Sequence, residues 1–406
     1  MDAVILPEAP WRHRAGLDAL IAALGEGHAR FVGGAVRDTL LGLEVSDIDI
    51  ATVHQPHTVI KRLRANGITV VPTGLKHGTV TAVLPDGPIE VTTLRRDVET
   101  HGRHATVAFT DDWCEDAGRR DFTINALYAD PATGEVFDPF GGLDDLAAGR
   151  VRFIGDPLLR IAEDHLRILR YFRFHARFGG AEMDGAALDA CAARANDLMA
   201  LSRERIADEL TKLLPSPRAP EVLRVMVDRG VLRAVLPEID AEGVARLEEL
   251  AAREAEHAIA PDPDRRLAAL LPDDPALAEE IAIRLRLSNA RRKRLAAAVV
   301  PLDPARPPRA LAYRIGVVAL LDRALRSAPD AALPAILAAI AGWTPPRLPL
   351  GGGRLVALGV TAGPDVAQLM KQVEDAWIAE DFPDSARVDQ LARDVADHWL
   401  RAHNSA

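Results

Sequence analysis

The chain has 406 residues, a formal net charge of -10 at pH 7 and only two cysteines, Cys114 and Cys191. That length allows two or three domains and a core burying about three quarters of the unfolded surface, and the distant cysteines match neither a disulfide framework nor a zinc site. No run approaches the roughly 18 apolar residues of a membrane span, so the reading is a soluble protein of a reducing compartment, the cytoplasm, and its acidic balance requires any phosphate-binding surface to be local.

In chain order, the first 150 residues are short β-branched runs bounded by Gly, Pro, Asn or Asp: FVGG (31–34), DIDIATV (47–53), GITVVPTG (67–74), GTVTAVL (78–84), IEVTTL (89–94) and EVFDPFGG (135–142). In DIDI the strand period puts Asp47 and Asp49 on one face and Ile48 and Ile50 on the other. Two carboxylates so close repel, and a hard divalent ion such as Mg²⁺ is the usual remedy, held by one or two carboxylates together with substrate phosphates. Upstream, Gly33 and Gly34 allow close approach of a ligand to the backbone, and AVRDTLLG predicts a helix with Arg37 one turn inside. Glu90, alternating with Ile89 and Val91, is a candidate third carboxylate, and RDVETHGRHATVAFTDDWCEDAG (96–118) reads as a loop.

After about Val151 the sequence turns Ala/Leu/Arg/Glu-rich with helical period, so the fold class is α+β: a mixed strand-helix head and an all-helical remainder. The segment around EDHLRILRYFRF (163–174) predicts one amphipathic helix. Its charged face carries Arg160, Glu163, Asp164, Arg167, Arg170 and Tyr171, and Leu158, Ile161, Ile168, Leu169, Phe172 and Ala176 lie opposite. Glu163 with Arg167 and Asp164 with Arg167 have the spacing of an intrahelical ion-pair ladder. Between Arg284 and Arg314 nine basic residues stand against one acid, Asp303, and Arg291, Arg292, Lys293 and Arg294 are the candidate RNA-phosphate surface. PLDPARPPR (301–309) and PPRLPLGGGR (345–354) read as joints.

GGAVRD followed by DIDI resembles the signature of the polymerase-β-like nucleotidyltransferases, in the form of the class II tRNA nucleotidyltransferases (CCA-adding enzymes) and bacterial poly(A) polymerases. RRDFTINAL (119–127), DPFGGLDDL (138–146) and EDHLRILRYFRF follow in the same order. The resemblance implies a nucleotidyltransferase head over 1–150, a helical neck over 151–215 with a base-recognition helix, a body over 216–345 and a tail over 346–406, the last two binding RNA. It implies template-independent addition of C, C and A to the 3′ end of tRNA from CTP and ATP, with two Mg²⁺ ions on Asp47 and Asp49. Gly33, Gly34, Arg37 and Arg120 match contacts to the nucleotide beside its phosphates, and Asp121 and Asn125 match residues near the sugar. Asp164 and Arg167 match the pair that reads the base edge, and Arg170 and Arg173 match further nucleotide contacts. A poly(A) polymerase or a CC-only or A-only enzyme shares these motifs, whereas TGLKHGTVTAVL (73–84) resembles the tRNA enzymes. A non-catalytic RNA-binding protein is the reading from another class.

Overall fold

The computed structural model describes residues 3–101 and 104–403, with side chains outside 97–107. The predicted runs assemble as a seven-stranded sheet: β1 (Ala29–Val32), β2 (Asp49–Thr52), β3 (Thr69–Gly74), β4 (Thr79–Leu84), β5 (Gly87–Thr93), then, after a separate hairpin of β6 (Arg95–His101) and β7 (His104–Phe109), β8 (Tyr128–Ala129) and β9 (Val136–Phe137). The order is β3-β4-β5-β2-β1-β8-β9, with β2 parallel to β5 and the other neighbours antiparallel. The sheet is therefore mixed, within the strand-helix head that the sequence predicted.

Helices α1 (Leu17–Leu24), α2 (Gly34–Leu40), α3 (Pro56–Ala65), α4 (Trp113–Gly118) and α5 (Gly142–Ala147) belong to this part, followed by α6 (Pro157–Glu163), α7 (Leu166–Phe178), α8 (Gly185–Ala193), α9 (Arg203–Leu213) and α10 (Ala219–Asp228). Two expectations are corrected here. Residues 96–118 contain most of the β6–β7 hairpin and α4 rather than a plain loop, because the two strands pair antiparallel with each other in a ladder of their own. The 163–174 segment is not one helix: α6 ends at Glu163, Asp164 is extended at φ -152, and α7 starts two residues later. The wheel drawn through that break misplaces two residues, since Leu158 is exposed and Tyr171 is fully buried.

The chain divides into two compact units, residues 1–244 with 261–263, and residues 245–260 with 264–406. The second is helical, from α11 (Ala241–Glu256) and α12 (Pro263–Leu270) through α13 (Pro275–Arg284), α14 (Asn289–Ala298), α15 (Pro308–Ile315) and α16 (Val317–Ser327) to a last helix at Ser385–His403. One of its cores gathers Leu355, Leu369, Val373, Trp377, Val388 and Leu391. Among the described residues no helix is long and apolar enough to cross a membrane, and Cys114 and Cys191 are both free thiols.

Candidate active site

Strand β2 begins at Asp49, so Asp47 sits just ahead of it. The alternation nevertheless persists, with Ile48 and Ile50 buried and both aspartates exposed toward one cavity. In the register, Asp49 faces Val32 on β1 and Glu90 on β5. The Asp49 carboxyl is pushed above its ordinary value, first by burial and then by the neighbouring charge of Glu90, with Arg120 opposing and Asp47 adding. This is an excess of negative charge that a cation relieves. Among the described residues no three His, Cys, Asp or Glu side chains form a metal-binding group. Two hard carboxylates with room for substrate oxygens nevertheless suit Mg²⁺, which keeps few protein ligands. Glu90 does not line the cavity; it acts on Asp49 through its charge.

The cavity has a volume of about 890 Å³. Asp47 and Asp49 stand on its wall together with Gly33, Gly34, Arg37, Arg120, Asp121, Asn125, Asp164, Arg167, Arg170 and Arg173, so the structure brings every proposed nucleotide contact into one space. Gly33 is required at its corner. Its φ of +68 is unfavourable for side-chain-bearing residues, and a Cβ would stand 3.2 Å from Arg120 Nη1.

The wall is a continuous chain of ion pairs and hydrogen bonds. Arg37 is buried, lies 4.1 Å over the Phe178 ring and donates from Nε to Asp38 at 2.7 Å. Its Nη1 donates to Asn125 Oδ1. Asn125 in turn donates to Asp121 at 2.9 Å, and Asp121 accepts from Arg170 Nε at 2.7 Å. Burial disfavours the Asp121 charge, but Arg170 and the donated hydrogen bonds hold the carboxyl below its ordinary range. Arg120 donates to the Tyr128 hydroxyl at 3.2 Å, and Tyr128 donates to buried Asp116 at 2.6 Å. Such pairing fixes the guanidinium planes and leaves their remaining N–H groups for a ligand.

At the α6–α7 break the expected ladder is only half present. Glu163 pairs with Arg167, as its spacing predicted, and also with Arg160. Asp164 instead accepts from Leu166 N at 3.1 Å and from Arg205 at 2.7 Å. Arg205 and Glu209 on α9 escaped the sequence reading. Glu209, buried at 3% exposure, accepts from Arg173 at 2.6 Å. A signal existed: Glu209 falls on the stripe of Ile206, Leu210 and Leu213, where a charge needs a buried partner.

In the other predicted surface three of the four basic residues have acidic neighbours. Arg291 donates to Asp264 at 2.8 Å, Arg294 donates to fully buried Asp322 at 2.8 Å, and Arg292 lies 3.4 Å from Glu279. Of the four, Lys293 is exposed and the three arginines are partly buried.

A mixed sheet carrying two aspartates at a strand start, against a cavity walled by arginines, defines a nucleotidyltransferase head. A family model described as "Poly A polymerase head domain" matches residues 29–152, and one described as "Probable RNA and SrmB- binding site of polymerase A" matches residues 181–242. The mitochondrial CCA tRNA nucleotidyltransferase 1 of Mus musculus is 34% identical over 365 residues, covering 86% of this chain and 82% of the relative. The CCA-adding enzyme of Oceanobacillus iheyensis is 39% identical over 214 residues, 52% of each chain. The crystal structure of Bacillus stearothermophilus CCA-adding enzyme in complex with CTP superposes with a TM-score of 0.76 at 26% identity, covering 98% of this chain and 100% of that one. This chain belongs to the CCA tRNA nucleotidyltransferase family.

Proposed function

We propose that the chain adds C, C and A to the 3′ end of tRNA from CTP and ATP without a nucleic-acid template. The observation that carries this reading is the single cavity in which Asp47 and Asp49 share a wall with Asp164 and Arg167. Asp47 and Asp49 would hold Mg²⁺, which when bound activates the primer hydroxyl and steadies the leaving pyrophosphate. Arg120 offers a fixed donor to triphosphate oxygens, with Arg37 braced beside them and Arg170 a further nucleotide contact, and Asp121 and Asn125 lie near the sugar. Asp164 accepts from the exocyclic amine of C or A and Arg167 donates to the adjacent ring acceptor, whereas U and G present the reverse pattern. The helical remainder grips tRNA through shape and backbone, an assignment supported by a relative named for tRNA and by a solved structure of a Thermotoga maritima CCA-adding enzyme complexed with tRNA. Two free cysteines suit the cytoplasm, although the Mus musculus relative is mitochondrial.

The test is a product assay on one tRNA lacking its last three nucleotides. C, C and A should appear in that order, with CTP and ATP each required at its own steps. A long A run from ATP alone on unstructured RNA would assign a poly(A) polymerase, and arrest after CC, or addition of A only, would assign a partial enzyme.

A further inference from the structure

The motif DPFGGLDDL has no part in the cavity, yet its atoms converge on the turn that does. Asp138 caps the start of α5, accepting from Gly142 N at 2.8 Å and Leu143 N at 2.9 Å. Asp145, one turn further, has 0% exposure, an expensive place for a carboxylate unless something demands it. Its Oδ2 accepts from the Thr123 hydroxyl at 2.6 Å and from Arg152 at 3.0 Å, and its Oδ1 accepts from Arg150 at 2.7 Å. Both arginines are about half exposed, with side chains at 50% and 44%. The carboxylate thus reaches solvent charge on one side and the buried hydroxyl on the other.

Thr123 opens the short 3-10 turn Thr123–Asn125. At its end Asn125 joins Arg37 on one element to Asp121 on another. The turn is also clamped sterically: a Cβ on Gly142 would lie 2.3 Å from the Thr123 carbonyl oxygen, so α5 docks there only because residue 142 has no side chain. We infer that Asp145 and Gly142 are positioning residues for nucleotide binding, acting through Thr123 to set Asn125, and hence the Arg37–Asn125–Asp121 bridge, at the ribose and phosphates. The inference rests on the reading of Asp121 and Asn125 as sugar-side residues.

Thr123→Val preserves shape and removes only the hydroxyl, and Gly142→Ala displaces the same turn without removing a polar group. Assayed with CTP and dCTP, each variant should raise the KM for CTP about tenfold and shrink the preference for CTP over dCTP similarly, the size of one lost hydrogen bond, with kcat unchanged. Thr123→Ser should restore both values. A merely structural role would lower the active fraction, and so kcat, while leaving KM and sugar preference alone. Asn125→Ala is the reference. If it changes neither KM nor sugar preference, the sugar-side reading falls and the inference with it. If it weakens both while Thr123→Val and Gly142→Ala weaken neither, that reading stands and the positioning role is overturned.

Discussion

The arginines of the cavity and those of α14 look alike in sequence and do opposite things. In the cavity wall, Arg37, Arg120 and Arg170 are braced by Asp38, Asp116 and Asp121, and each still lines open space. In the second unit, Arg291 and Arg294 meet Asp264 and Asp322, and Arg265 and Arg266 converge on buried Glu254 at 2.8 Å each. Positive charge written in a sequence becomes a ligand site only when its acidic partners hold it from behind. On α12, Arg265 and Arg266 are buried together with the acid they meet.

The sharpest separation of the two regions comes from the acids. Asp49→Ala removes a charge that faces open space, so it should cut incorporation roughly a thousandfold, the scale of losing a main electrostatic element, while urea unfolding stays near wild type. Incorporation near the wild-type rate would remove the metal assignment. Asp322→Ala removes a fully buried charge and takes from Arg294 its nearest counter-charge, so the expected loss is about 3–5 kcal/mol in urea unfolding. A loss below about 1 kcal/mol would mean that the Asp322–Arg294 pair contributes little to stability.

Within the cavity, Asp164→Ala should cost about 1–3 kcal/mol of discrimination against UTP and GTP, read as the ratio of kcat/KM values. A uniform fall in rate with the ratio kept would assign Asp164 to bracing Arg205 alone. His175, buried in α7, offers a case of charge refused: burial first, and then Arg218, push it from 6.5 down to about 4. The unfolded chain binds this proton below about pH 6.5 and the folded chain does so only near pH 4, so its contribution is present above that window and is lost on acidification through it. Wild-type stability should fall there by roughly 1 kcal/mol per pH unit more than that of His175→Gln, followed by denaturant titration at several pH values. The smallest effect belongs to Lys293→Ala, which should leave unfolding unchanged and reduce the salt slope of tRNA binding by roughly one. An unchanged slope would detach α14 from RNA altogether.

Much of the head is legible because its signals are local. The alternation in DIDI predicts which side of the chain is acidic, and Ile48 and Ile50 are buried as that period requires. The break at Asp164 was not legible, because EDHLRILR carries no Pro or Gly and good helix formers surround it. Asp164 leaves the helix where its carboxylate caps Leu166 and meets Arg205, 41 residues away.

By itself the sequence determined a strand-helix head, a helical remainder and the acidic pair, which depend on periods of two or 3.6 residues, and it carried the motif residues through a family resemblance. Tertiary structure decided which charges are offered. It paired Glu209 with Arg173, Asp264 with Arg291 and Asp322 with Arg294, and seated Asp145 under Thr123. The physical reason is that a charge's role depends on whether its counter-charge is held beside, behind or beneath it, and partners 22 to 36 residues apart are chosen by packing rather than by sequence spacing.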